Sequence, residues 1–252
     1  MDRTLDTLVG LGHFGRYAGQ VLARVATPPW EPHETARHIW LLLIRCSLPV
    51  VAVVFPAGMV LALQGLQIFD LFGAQRMLSS LISVATFREL SPVLASVLVA
   101  AQGGSSFAAE IGAMRIKEEI DATAVMGVDP LRVHVAPRVI AAVIATPILD
   151  LIGCIAGIWG GWLVAVAFKG ENGGIYWGNL WALTQPADLF GGLFKTAIFG
   201  LLIGLIATYY GYHASGGAAG VGKAVNDTVV SAVTAFIVAN YFLTSALFGA
   251  LG

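Results

Sequence analysis

Five stretches of this chain run for about the 20 residues that a helix needs to cross the hydrocarbon of a bilayer with almost no Lys, Arg, Asp or Glu: residues 46–69, 90–109, 139–168, 196–222 and 228–252. Only Asp150 interrupts them, inside the third. A segment of this kind has few options in lipid, because an unpaired backbone N–H or C=O is costly there and a helix satisfies both within itself. The sequence therefore predicts an all-α polytopic membrane bundle with five transmembrane helices at about 46–69, 84–109, 139–168, 196–213 and 228–250. The second span starts before Arg88 because residues 81–87 are also apolar. Residues 1–45 read as an N-terminal amphipathic segment and 46–252 as the membrane domain.

Composition agrees: hydrophobic residues make up 57% of the chain and charged ones 12%, against roughly 25% charged in soluble domains. A net charge of −1 leaves no electrostatic footprint for nucleic acid. Orientation follows from the basic residues. With the N-terminus in the cytoplasm, only Arg76, Arg88, Lys169 and Lys195 fall in the outer half, and the remaining Lys and Arg lie inside. The expectation is N-in and C-out.

Asp2, Asp6, Glu31 and Glu34 interrupt the first forty residues, so no cleavable signal is expected. Leu5, Leu8, Val9, Val21, Leu22 and Val25 interleave with Arg3, His13, Arg16 and Arg24, the pattern of a helix lying in the membrane interface; a mobile leader is the alternative. Thr27-Pro28-Pro29-Trp30 breaks this segment, and a second amphipathic run over 33–45 leads into the first span.

Dense charge concentrates between Arg115 and Arg138, where the orientation above faces it to the cytoplasm. Ile116, Ile120, Ala124 and Gly127 form one helical stripe, while Lys117, Glu118, Glu119 and Asp121 project elsewhere, with Lys117 and Asp121 at ion-pair spacing. Asp129-Pro130 ends the helix. A short polar helix held between spans is suited to touching a soluble partner. Its Asp121-Ala122-Thr123, Gly127 and Pro137 also fall near the offsets of the Glu-Ala-Ala loop of ABC importer permeases.

Other signals point away from chemistry on this chain. Residues 217–224 match G-x-x-x-x-G-K of a phosphate loop, but Ala224 stands where a Ser or Thr holds magnesium, and a membrane span precedes it in place of a strand; the stretch reads as a glycine-rich turn. Cys46 and Cys154 read as small packing residues, and the five His are scattered. Neither an enzyme active site nor a cofactor or metal site is expected. Gly153, Gly157 and Gly161, then Gly200 and Gly204, then Ser231, Ala235 and Ala239 recur every four residues, the small-xxx-small spacing of close helix contacts, either between subunits or within one. Charges inside spans default to function. Glu89, beside Arg88, is read as a cavity residue, the alternative being an ion pair that only holds the bundle; Asp150 ranks below it.

Several motifs then occur in one order: Phe87-Arg88-Glu89-Leu90-Ser91-Pro92-Val93, Ala108-Ala109-Glu110-Ile111-Gly112-Ala113-Met114-Arg115, Glu118-Glu119-Ile120-Asp121-Ala122, Met126-Gly127-Val128-Asp129-Pro130 and Pro137-Arg138. Together with Gly58-Met59-Val60-Leu61-Ala62-Leu63-Gln64, they resemble the MlaE/YrbE permeases of lipid-transporting ABC systems over nearly the whole chain after Ala36. That resemblance implies a permease in the bacterial inner membrane, paired with a second copy or a paralogue. A separate ABC ATPase subunit would sit below and an MCE-domain lipid-binding protein above, with phospholipid or a related lipid as cargo. It implies coupling to the ATPase through a helix at about 115–127, with Lys117, Glu118, Glu119, Ile120, Asp121 and Gly127, and a lipid cavity near Glu89, Arg88, Leu61 and Gln64. Gln102 and Asn240 depart from the family, which often has Arg and Asp there. A stand-alone secondary transporter would need inverted repeats, which five spans do not divide into; a membrane scaffold would need neither cavity nor coupling.

Overall fold

The computed structural model describes residues 2–28 and 30–249, so the Pro29 of the expected break and the Ala250 end of the fifth span lie outside the described residues, as do the side chains of Leu5, Leu8 and Val9. The described residues fold into helices and turns alone. Helix α1 (Asp2–Ala26) is followed by α2 (Pro32–Leu71), α3 (Leu78–Ile116), the short α4 (Glu119–Val125), α5 (Leu131–Phe168), the short α6 (Gly173–Leu180), α7 (Pro186–Tyr212) and α8 (Gly217–Phe248). The five long ones, α2, α3, α5, α7 and α8, are each long and apolar enough to span a membrane, as the charge pattern predicts. Five crossings leave residues 30 and 249 at opposite ends of the bundle. One end carries α1, α4 and the turn before α8; the other carries α6 and the turns around it.

The spans overrun their charge-free cores. Helix α2 runs unbroken from Pro32, so residue 45 marks a change of composition inside one helix. Its buried side follows a four-residue step through His38, Leu42, Cys46, Val50, Val54, Gly58 and Ala62, which winds slowly around the helix and lies against α5. Pro49 and Pro56 sit within it. Helix α7 starts ten residues before the expected 196, with Pro186 in its first turn and a capping box in which Gln185 and Asp188 satisfy each other's backbone N–H groups.

Glycines set the distance between the spans. A Cβ on Gly58 would come within 2.8 Å of the carbonyl carbon of Gly157, and one on Gly160 within 3.1 Å of that of Phe55, so α2 and α5 touch through their backbones. Gly200 and Gly204 do the same for α7 against Ala142 and Val139 of α5. The small-residue stripes of α5 and α7 are thus contacts inside one chain. Helix α5 is the hub, packed on α2 and on α7.

The glycine-rich stretch 217–224 is helical, and only 213–216 form the turn. The sharp reversal rests on Gly216 and Gly217, at φ 88° and 70°, which a side chain would disfavour. The expected glycine-rich turn is therefore the first two turns of α8.

Candidate functional site

Two places in the bundle carry more polar chemistry than packing needs. The first is the α4 end. Helix α3 stops at Ile116, Glu118 adopts a left-handed conformation at φ 61°, and α4 then runs for seven residues before Gly127, at φ 77°, turns the chain again. The expected single helix over 115–127 is therefore broken at Lys117-Glu118. That break shifts the charge pairing: Asp121 receives Arg115, Lys117 lies 3.8 Å from Glu119, and the anticipated Lys117–Asp121 pair does not form. The stripe is altered as well. Ile120 is buried among Tyr17, Val21, Ile111, Leu131 and Val139, Thr123 is buried beside it, and Ala124 faces out.

This gives α4 one anchored side and one free side. On the anchored side Thr123 Oγ1 lies 3.2 Å from His134 Nε2. Asp129 caps α5 by accepting from the Leu131 N–H at 3.0 Å and receives Arg24 of α1 at 2.9 Å. Burial works to raise the pKa of Asp129, but Arg24 and the Leu131 amide outweigh it and hold the carboxyl below the usual carboxylate range. The free side shows Lys117, Glu118 and Glu119 beside an apolar tip, with Val125 89% and Met126 73% exposed. A well-anchored knob with bare apolar residues is the arrangement of a contact surface.

Inward from the knob, buried Arg138 donates to the His134 carbonyl and, at 3.1 Å, to Glu110 of α3; Ser106 bonds the other Glu110 oxygen, and Arg45 of α2 bonds Ser106 at 2.7 Å. Hydrogen bonds thus run without a gap from α4 through α5 and α3 to α2.

The second place lies toward the opposite end, where residues 86–90 of α3 form a wide turn in which the Ser91 N–H reaches back five residues to Thr86. Pro92 has no N–H for the Arg88 carbonyl four residues before it. Lys195 of α7 supplies the missing donor at 2.8 Å, and also donates to Glu89 Oε1 at 3.0 Å and to Thr244 Oγ1 of α8 at 2.7 Å. Glu89 further accepts from Thr244 on Oε1 and from Asn240 Nδ2 on Oε2, at 2.7 and 2.8 Å. Arg88 turns the other way, with Nε 2.7 Å from buried Asp188 and its guanidinium 4.6 Å from the Phe248 ring. Three spans are tied together here by charges that would be prohibitive in lipid if left alone.

Lys195 is wholly buried, whereas the Glu89 side chain is 42% exposed. It opens on a groove of about 480 Å³ whose other walls are Leu61, Ala85, Leu90, Val93 and Leu94. Glu89 and Leu61 are thus brought together on the groove, whereas Arg88 faces away from it, toward Asp188 and Phe248. Gln64 lies a turn farther along α2, exposed and outside the groove. Sequence reasoning missed Lys195, Asp188 and Thr244, although the Pro92 that orphans the Arg88 carbonyl was a readable cue. Asp150 is buried on the far side of α3, its carboxylate 3.7 Å from Cys154 Sγ and its carbonyl bonded by Ser91 at 2.8 Å, which makes it a packing element between α3 and α5. Among the described residues Gln102 takes part in a side-chain hydrogen bond only through its backbone carbonyl, which accepts from Ser105 at 3.0 Å. No group of His, Cys, Asp and Glu suited to a metal occurs among the described residues.

A family model described as Permease MlaE matches residues 35–246, a span that contains both the knob and the groove. A probable ABC transporter permease protein of Rickettsia felis is 37% identical over 247 residues, covering 98% of this chain and 95% of that protein. The intermembrane phospholipid transport system permease protein MlaE of Haemophilus influenzae is 37% identical over 194 residues, 77% of this chain and 74% of its own. A probable ABC transporter permease protein of Synechocystis is 36% identical over 195 residues, with the same coverage.

Proposed function

This chain belongs to the MlaE permease family, and from that premise we propose that it is the membrane subunit of an ATP-driven lipid transporter. It is a multi-pass permease; hydrolysis would take place in a separate ABC ATPase, and the cargo would be a phospholipid or a related lipid passed to or from an MCE-domain protein. In this reading the N-terminus and α4 face the cytoplasm of a bacterial inner membrane, which agrees with the gathering of Lys and Arg at that end. A second copy or a paralogue would close the open side of the groove and cover the exposed apolar residues Val230, Ile237, Val238, Tyr241 and Phe242 of α8.

The observation that carries the proposal is the two-sided build of α4. Ile120 and Thr123 fix it to the bundle while Val125 and Met126 stand free. Among the described residues nothing covers those two side chains, and a groove on an ATPase would. Closure of the ATPase would push α4, and the link through His134, Arg138, Glu110 and Ser106 would pass the movement to α2, whose Leu61 lines the groove. Glu89, with Arg88 behind it and Leu61 opposite, would then meet the lipid.

Co-purification tests this directly. The ATPase should remain bound to the wild-type chain in detergent and be lost from Val125→Asp/Met126→Asp, with the elution profile of the membrane subunit unchanged. Retention of the ATPase by that variant would refute the interface.

A further inference from the structure

We infer that the groove beside Glu89 selects lipids whose head group carries an ammonium N–H donor over lipids that end in a bare phosphate, a hydroxyl or a carboxylate. The inference deepens the lipid-permease reading and rests on it. An inventory of donors and acceptors at the polar end of the groove carries it.

An anionic head group would need a cation with a free N–H. Lys195 has three, and all are taken, by the Arg88 carbonyl, Glu89 Oε1 and Thr244 Oγ1, on a side chain with no exposed surface. Arg88 faces α7 and α8, bound to Asp188 under the Phe248 ring, and is not part of the groove wall. The remaining lining residues, Leu61, Ala85, Leu90, Val93 and Leu94, offer no polar side-chain atom.

Acceptors, by contrast, are left over. Glu89 Oε1 takes two donors but Oε2 takes only the Asn240 amide, and this half-exposed carboxylate keeps an open lone pair toward the groove. Asn240 Oδ1 is buried with no donor at all. The amide is not free to turn over, because its oxygen would then face the Glu89 carboxylate. The groove thus ends in one charged carboxylate with an open lone pair, backed by the buried Lys195 and, outside the groove lining, by the buried Asn240 Oδ1. An ammonium supplies both N–H groups and charge. In a symmetric pair the second copy would bring the same set.

The test uses the purified chain with any subunits that accompany it, stripped of lipid in detergent. It is then offered an equimolar mixture of phosphatidylethanolamine, N-acetyl-phosphatidylethanolamine, phosphatidylglycerol and phosphatidic acid with identical acyl chains, and retained lipid is read by native mass spectrometry. One charge-assisted hydrogen bond corresponds to roughly tenfold, so phosphatidylethanolamine should be retained about tenfold over each of the others, and Glu89→Gln should bring that ratio below about twofold. Equal retention of the N-acetyl lipid, phosphatidylglycerol or phosphatidic acid overturns the head-group inference while leaving the lipid groove intact. Survival of the preference in Glu89→Gln also overturns it. If the wild-type chain retains none of the four, the lipid-permease reading fails and this inference with it. Should Glu89→Gln not fold, the wild-type ratios decide alone.

Discussion

Replacing Lys195 by Met should be among the most damaging single changes available in this bundle. Met fills much of the same volume and is at home in lipid, so any loss reports the ammonium and not the stem. Three acceptors lose their donor together: the Arg88 carbonyl, which Pro92 leaves without a ladder partner, Glu89 Oε1 and Thr244 Oγ1. Breaking a buried pair by removing one member costs about 3–5 kcal/mol. The lower end applies here, because the Glu89 side chain is 42% exposed and regains some solvation. At about 2–4 °C per kcal/mol for a chain of this size, the midpoint should fall by roughly 6–12 °C, read by heating the detergent-solubilised protein and measuring the surviving monodisperse peak. The double variant Lys195→Met/Glu89→Gln should recover part of that loss, since the uncompensated charge is then gone. A midpoint for Lys195→Met within about 2 °C of wild type, or losses that simply add in the double variant, would refute the account of this cluster as a mutually dependent ion pair.

Gly160→Val should destabilise by about 1–3 kcal/mol, because its Cβ would lie 3.1 Å from the Phe55 carbonyl carbon where neither backbone can yield; the same thermal assay checks it, and Gly178→Ala, which has open space around it, should be nearly silent. The Arg24–Asp129 pair is about one-third exposed on each side and should contribute no more than about 1 kcal/mol. Its carboxyl is depressed in the folded state, so the contribution is present above the ordinary value of 3.8 and lost as pH falls through the lower folded value. Trp30, whose indole N–H bonds the Val25 carbonyl at the end of α1, should report that acid step by fluorescence, and Arg24→Ala should abolish it. Ile120→Asp should release α4 and make residues 117–128 cleavable by added protease, whereas Met126→Asp should not, because only Ile120 is buried.

The five spans were legible because lipid imposes so narrow a rule: a run of about 20 apolar residues has to be helical whatever its neighbours do. The same rule misplaced the helix ends. Asp188 and Lys195 seemed to exclude residues 186–195 from a span, yet each is neutralised by a partner a hundred residues away, Arg88 and Glu89, and no window along the chain holds that information. The knob failed in a different way. Periodicity gave a single helix and a Lys117–Asp121 pair, but the left-handed Glu118 lies in the one backbone region that side-chain pattern does not report, and it moves every later residue to a new face. The groove was half visible. Glu89 stands out as a carboxylate in an apolar span, while the Lys195 that governs it looks in sequence like an ordinary flanking cation.

The two sites have opposite mechanical requirements, and the packing divides the bundle accordingly. Helices α2, α5 and α7 meet backbone to backbone at Gly58, Gly157, Gly160 and Gly200, contacts that cannot shear without driving atoms into carbonyls. Such a block transmits displacement and does not absorb it. The side of α8 away from this block is bare, and beside the groove it is held to α3 and α7 by polar ties, Asn240 and Thr244 to Glu89 and Lys195 to Thr244, next to the apolar packing of Phe236 on Phe199. Hydrogen bonds exchange partners at low cost where a new donor is offered, and glycine contacts do not. A push at α4 would therefore leave the α2–α5–α7 block intact and be expressed where α8 is held by exchangeable bonds, beside the Glu89 carboxylate. In the proposed transporter the yielding part would then be the groove. It also requires that cross-linking α8 to α3 through paired cysteines at Asn240 and Glu89 stop lipid movement while ATP hydrolysis by the assembled complex continues. Transport that persists through that cross-link would place the moving wall elsewhere.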